Sequence, residues 1–131
     1  MNIREQVSYW KTGSTYDLET AKALFEKERY PYCLYFCHLA LEKLLKALWV
    51  LLKNEHPPKV HNLAFLAEKL PMQLDETILD FFAELNEFNL EARYPDLKRS
   101  LYTRADQEYT VHYLEKTRET MDWLTRKLSE S

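Results

Sequence analysis

The stretch Tyr30–Asn54, YPYCLYFCHLALEKLLKALWVLLKN, decides the fold. At about 100° per residue, Cys37, Leu41, Leu44, Leu45, Leu48, Leu51 and Leu52 fall on one side, the i, i+3, i+4, i+7 repeat of an amphipathic helix. Phe36, Ala40 and Ala47 widen that arc, so this helix is expected at the centre with neighbours on most sides. The remaining arc carries His38, Glu42, Lys43, Lys46 and Lys53, with Tyr35, Leu39, Trp49 and Val50 set among the charges. Two aromatic and two aliphatic side chains there suit a face that meets a partner chain or a ligand better than one that meets water.

Working outward, the 131-residue chain is long enough for one domain with a sizeable core, residues 1–131. Hydrophobic residues make up 46% and charged residues 30%, which excludes a disordered chain and a membrane protein. The longest uncharged run, Tyr30 to Leu41, is too short to span a bilayer as a helix. No signal peptide is visible at the start, so a cytoplasmic location is expected. A net charge of −3 argues against a broad nucleic-acid surface while leaving room for a local basic site. Cys33 and Cys37 lie one helical turn apart with no His at metal-ligand spacing, and read as two small buried hydrophobes. A single glycine, Gly13, leaves sheet turns and bulges unprovided for, and the prolines at 57–58, 71 and 95 do the punctuation, so the fold is all-α.

Ile3, Val7, Trp10, Leu18, Ala21, Leu24 and Phe25 predict one long helix from Asn2 to about Arg29, with Gly13 as the place for a kink. Tyr30-Pro31 ends it, and a first-turn proline opens the central helix. That helix stops near Glu55-His56-Pro57-Pro58. A short helix is expected over His61–Leu70, and a longer one over Asp75–Ala92 with Asp75 as N-cap and Ile78, Phe81, Phe82, Leu85, Phe88 and Ala92 inward. Arg93 to Tyr102 reads as an ordered loop. Thr103-Arg104-Ala105-Asp106 has the form of a capping box for the last helix, to about Leu128, with Tyr113, Thr117, Met121, Leu124 and Leu128 inward. The expected architecture is an up-and-down four-helix bundle with one additional short helix.

Three constellations bear on chemistry. His38, Glu42 and Lys46, at i, i+4, i+8, share a face. They read either as a solvated stripe, with a Glu42–Lys46 pair worth about 0.3–0.5 kcal/mol, or as a place where Lys43 or Lys46 holds a phosphate beside the aromatics. His61-Asn62-Leu63 reads as helix capping or as an anion site at a helix start. Arg93-Tyr94-Pro95-Asp96 reads as a helix stop, with Arg93 on the last carbonyls, or as a ligand grip: a guanidinium fork for phosphate, Tyr94 stacking on a base and Asp96 accepting from a hydroxyl or base. No Gly-rich phosphate loop, paired Cys motif, HExxH or paired ExxH set occurs, so no metal or cofactor is expected.

Ala40-Leu41-Glu42-Lys43-Leu44-Leu45-Lys46-Ala47, then His61-Asn62-Leu63 with Leu66, then Ala92-Arg93-Tyr94-Pro95-Asp96, then the helix opening after Tyr102, resemble in order and spacing the HEPN family (higher eukaryotes and prokaryotes nucleotide-binding). The resemblance covers nearly the whole chain and implies a bundle of four to five helices. It also implies one of two functions. Many prokaryotic members act as a two-protein, toxin–antitoxin-like system with a minimal nucleotidyltransferase; others are metal-independent ribonucleases that pair R-x4–6-H motifs across a homodimer. After Arg93 this chain has no His in that window, which argues against an enzyme. The reading is a non-catalytic nucleotide- or RNA-binding module, a homodimer with a nucleotidyltransferase partner and no membrane association. Its binding residues are Lys43, Lys46, His61, Arg93, Tyr94 and Asp96, and no residue is assigned to catalysis. The alternative is a ribonuclease toxin with a rearranged site, His61 supplying the titratable group from elsewhere in space.

Overall fold

The computed structural model describes residues 1–130, with the side chains of all of these but Pro95, Leu97 and Lys98. Asn2 starts the first helix, α1 (Ile3–Glu26): its side-chain oxygen accepts from the Glu5 N–H at 2.8 Å, and its amide nitrogen donates to the Glu5 carboxylate. The helix runs unbroken through Gly13 and ends short of Arg29, with Glu28 in the left-handed region at φ 60°. α2 (Tyr30–Lys53) follows at once, with proline in its first turn. It closes at Asn54, also left-handed at φ 55°, whose N–H bonds to the Val50 carbonyl.

Every other helix touches α2. Cys33, Leu34, Cys37, Ala40, Leu41, Leu44, Leu45, Ala47 and Leu48 are buried on it, as the wide apolar arc requires. The Cys33 thiol is pushed far up by its hydrogen bond with Cys37 and by burial, so it stays protonated and inert. α1 lies against α2, and small residues let the two approach closely. The Ser14 hydroxyl donates to the Ala40 carbonyl at 2.6 Å, and a Cβ at Gly13 would meet the Lys43 side chain at 3.1 Å.

α3 (Leu63–Glu68) is shorter than the predicted 61–70, because Asn62 caps it: its side-chain oxygen accepts from the Phe65 N–H. α4 (Glu76–Arg93) is capped by Asp75 as the sequence implies, and seats Phe81, Phe82, Leu85 and Phe88 in the core. α6 (Gln107–Glu130) buries Thr110, Leu114, Thr117, Met121, Leu124 and Leu128.

The expected loop after Arg93 is instead a helix, α5 (Pro95–Arg104). A proline after a helix end looks like a break, but at the first position of a new helix it gives up only an N–H that has no partner there. Leu101, fully buried, anchors α5 to the core. Thr103 therefore lies inside α5, bonding back to the Arg99 carbonyl, and the cap of α6 is Asp106, which accepts from the Tyr109 N–H at 2.8 Å. The bundle thus has four long helices and two short ones among the described residues.

Candidate functional site

The polar stripe of α2 is not solvated. His38 is fully buried, and the Glu42 and Lys46 side chains are each 6% exposed. Lys46 donates to Glu42 Oε2 at 3.0 Å, as the i, i+4 spacing predicts, but this is a buried pair rather than a surface one. Its energetics therefore differ: the pair stabilises little in net terms, while an unpartnered member would be costly.

The turn into α3 brings His61 to this pair. The His61 Nδ1 lies 3.0 Å from Glu42 Oε1 and 3.1 Å from Oε2. A carboxylate only accepts, so Nδ1 carries the proton and donates. The ring is 49% exposed. The His61 carbonyl in turn takes the N–H of His38 Nε2 at 2.8 Å. With Nε2 donating, the other nitrogen of a neutral His38 accepts, and Asn89 of α4 donates to it at 3.3 Å. Burial lowers the His38 pKa below the ordinary 6.5, outweighing Glu42, so the ring stays neutral. Arg93 Nη1 reaches the Asn89 oxygen at 3.5 Å. One chain of contacts therefore runs from exposed Arg93 through Asn89 and His38 to His61, and on through Glu42 to Lys46.

Asn86 braces the same seam. Its oxygen accepts from the Leu63 N–H at 2.9 Å and its nitrogen donates to Asn62. Asn86, Asn89 and Arg93 stand at i, i+3, i+7 on α4; this polar stripe was a signal the sequence reading passed over. Asn62 is the capping residue, and His61 is the one left to face outward. Arg93 bonds the Asn89 side chain rather than the last carbonyls of its helix.

Tyr94 and Asp96, both exposed, follow Arg93 at the α4–α5 corner. That corner is pinned by Arg104 of α5, which donates to Glu91 of α4 at 2.9 Å, and by the Tyr102 hydroxyl, which donates to that of Tyr32 on α2. The hydrogen bond to Glu91 raises the Arg104 pKa still further. Lys43 stands apart from this group, its ammonium 2.8 Å from Asp17 of α1. Among the described residues no cluster of three or more His, Cys, Asp or Glu is placed to hold a metal, and no helix is long and apolar enough to cross a membrane.

The partner-facing reading of α2 loses two of its four apolar residues. Trp49 and Val50 are buried by the chain itself, and Tyr35 and Leu39 are half-buried.

The HEPN domain model matches residues 7–128. The chain belongs to the HEPN family. The crystal structure of TT1696 from Thermus thermophilus has a similar fold, with a TM-score of 0.80 at 18% sequence identity, covering 97% of this chain and 99% of that one. No curated protein matches the sequence. In this HEPN domain Glu42, Lys46, His61 and Arg93, from three of the motifs that carry the resemblance, belong to one contact chain, whereas Lys43 from the first of them lies outside it.

Proposed function

We propose that this HEPN domain is a non-catalytic module that binds a nucleotide or RNA, acting as a homodimer beside a minimal nucleotidyltransferase in a toxin–antitoxin-like pair. The observation that carries the binding half is the contact chain itself. Its interior is buried and mutually satisfied, and its outlets are a half-exposed imidazole and an exposed guanidinium. Arg93 offers a planar fork to phosphate, Tyr94 a face for a base and Asp96 an acceptor for a hydroxyl or base, with Lys46 behind His61, its charge offset by the Glu42 carboxylate that the two share. Residues 93–104 hold four basic side chains, Arg93, Lys98, Arg99 and Arg104, against the single acid Asp96; with Arg104 paired to Glu91, three basic residues remain against one acid, in a chain that is acidic overall. That local excess suits a phosphate-bearing ligand.

Homodimerisation is supported by what the α4–α5 corner exposes: Leu90 and Tyr94, one turn apart, with the rings of Tyr102 and Tyr32 on the neighbouring helices. This replaces Trp49 and Val50 as the reason to expect a second copy. Light scattering at tens of micromolar is expected to give the dimer mass; a monomer mass removes this part of the proposal.

A second reading, a metal-independent ribonuclease with a rearranged site, is favoured by one feature. Glu42 holds His61 Nδ1 with both oxygens, which turns Nε2 outward as an orienting carboxylate does for a general base. RNA incubated with the pure protein in chelator separates the two. Intact RNA is expected; cleavage abolished by His61→Ala establishes the ribonuclease instead.

A further inference from the structure

At the end of the bundle where the first turns of α1 meet the last turns of α2 and α6, Ile3, Val7, Leu51 and Leu128 floor an open trough of about 620 Å³. Arg4 and Lys11 stand along its α1 edge. We propose that this trough is a docking site for one amphipathic helix of a protein partner, with apolar side chains on one edge and carboxylates two turns apart beside them. Leu51 lies nineteen residues along α2 from Tyr32, about 28 Å. The trough is therefore separate from the α4–α5 corner and does not rest on the function given for that corner.

Three observations carry the assignment. First, the floor is unfinished core. The helical repeats place Ile3, Val7 and Leu51 inward, yet each is only half-buried, while every α2 residue from Leu44 to Val50 is buried. α1 lies on α2 for much of its length and makes only slight contact with α6, which leaves the last turn of the central helix partly uncovered at this end. Apolar side chains gathered here from three helices gain from a partner that takes them out of water. Second, the edge carries one sign of charge. Arg4 and Lys11 are exposed, and among the described residues neither charged group has an ion-pair or hydrogen-bond partner. No Asp or Glu lines the trough, in a chain with 21 acidic residues against 18 lysines and arginines. By contrast, the groove on the other flank of α1 includes Glu5, and its Lys43 is taken by Asp17. The hollow between α5 and α6 includes Asp106 and Glu108. The two free cations therefore select an acidic partner. They also select against a second copy: a two-fold contact through this trough would bring the same patch to both sides and set cations facing cations. Third, the spacing is helical. Arg4 and Lys11 are seven residues apart, about 10.5 Å along α1. A helix laid in the trough beside α1 meets both with Asp or Glu at i and i+7, and its apolar residues at i+3 and i+4 then fall over Val7, which lies between the two cations.

Methyl NMR with a synthetic helical peptide tests this. The probe has about 18 residues, long enough to hold a helix, with leucines at i+3 and i+4 bordered by glutamates at i and i+7. The control peptide carries lysine in place of each glutamate. Saturable shifts are expected at the methyls of Ile3, Val7, Leu51 and Leu128, with those of Leu34 and Leu63, outside the trough, unmoved. The lysine peptide is expected to bind more weakly by about tenfold or more. The variant Arg4→Glu/Lys11→Glu, altered only at exposed positions, is expected to reverse that preference, and Arg93→Ala to leave it unchanged. No shift at about 1 mM peptide overturns the inference, as does equal binding of the two peptides. Shifts at the same methyls on dilution of the protein alone mean that a second copy fills the trough, and shifts with dodecanoate but not with the glutamate peptide mean that a lipid tail does. Either result overturns it too.

Discussion

α2 carries two lysines three residues apart, each beside a buried carboxylate, and the two pairs do different work. Lys43 reaches across to Asp17 on α1, and with its side chain 32% exposed it can still meet water. That pair ties two helices together near the Gly13–Ser14 contact and involves nothing outside them. Lys46 pairs with Glu42 on its own helix, only 6% exposed, and the same carboxylate holds His61. The second pair links the core to an outward-facing ring and, through His38 and Asn89, to Arg93. The difference teaches that a charge on the central helix is read by where its partner leads, not by its spacing alone.

The largest expected effect breaks the second pair. Glu42→Ala strands a buried ammonium and frees His61, and is expected to lower stability by about 3–5 kcal/mol in urea denaturation. Replacing both partners, Glu42→Leu with Lys46→Met, is expected to restore most of that stability, since removing a whole buried pair is often neutral. A single variant no worse than the double one contradicts the buried-pair account.

Asp17→Ala is expected to cost less, about 1–2 kcal/mol, between the figures for exposed and buried pairs, because Lys43 can turn to solvent. If Asp17→Ala costs as much as Glu42→Ala, the distinction between the two pairs fails.

His38 gives a smaller, pH-dependent effect. Its pKa is lowered in the folded state by burial, from an ordinary value of 6.5. The unfolded chain therefore binds the proton more readily, and stability, full above about pH 6.5, falls as pH drops below it towards the folded-state value. In His38→Gln that part of the pH dependence is expected to vanish from thermal melts. An unchanged pH profile would mean that His38 is not held neutral by its site.

Much of the fold was legible. The apolar arc of Tyr30–Asn54 identified the central helix, Asp75 was a true cap, and the last helix had its inward face nearly right. α5 was not legible because Pro95 reads as a break and the residues after it are mostly polar, with no apolar repeat long enough to mark a helix face. The capping box fails for the same reason: Thr103 lies inside α5, a helix that its local pattern does not announce. In the site, the spacing places His38, Glu42 and Lys46 on one face, but neither of its two readings, a solvated stripe or a phosphate grip, includes a buried pair. Their burial depends on α3 and α4 closing over them, which local spacing does not encode. Asn86 and Asn89 supply that closure with partners, and asparagines within a helix attract little notice.

The central claim is that the chain from Glu42 to Arg93 presents Arg93 to a phosphate-bearing ligand. The most direct test is the fluorescence anisotropy of a labelled 5′-hydroxyl single-stranded RNA titrated with wild type and with Arg93→Ala. The account predicts that wild type binds and that Arg93→Ala binds more weakly by about 1–3 kcal/mol, the scale of a hydrogen bond to a charged group, with its helical circular dichroism unchanged. If neither protein binds at millimolar concentration, and Arg93→Ala instead lowers the melting temperature, then Arg93 serves the helix end alone and the claim is contradicted.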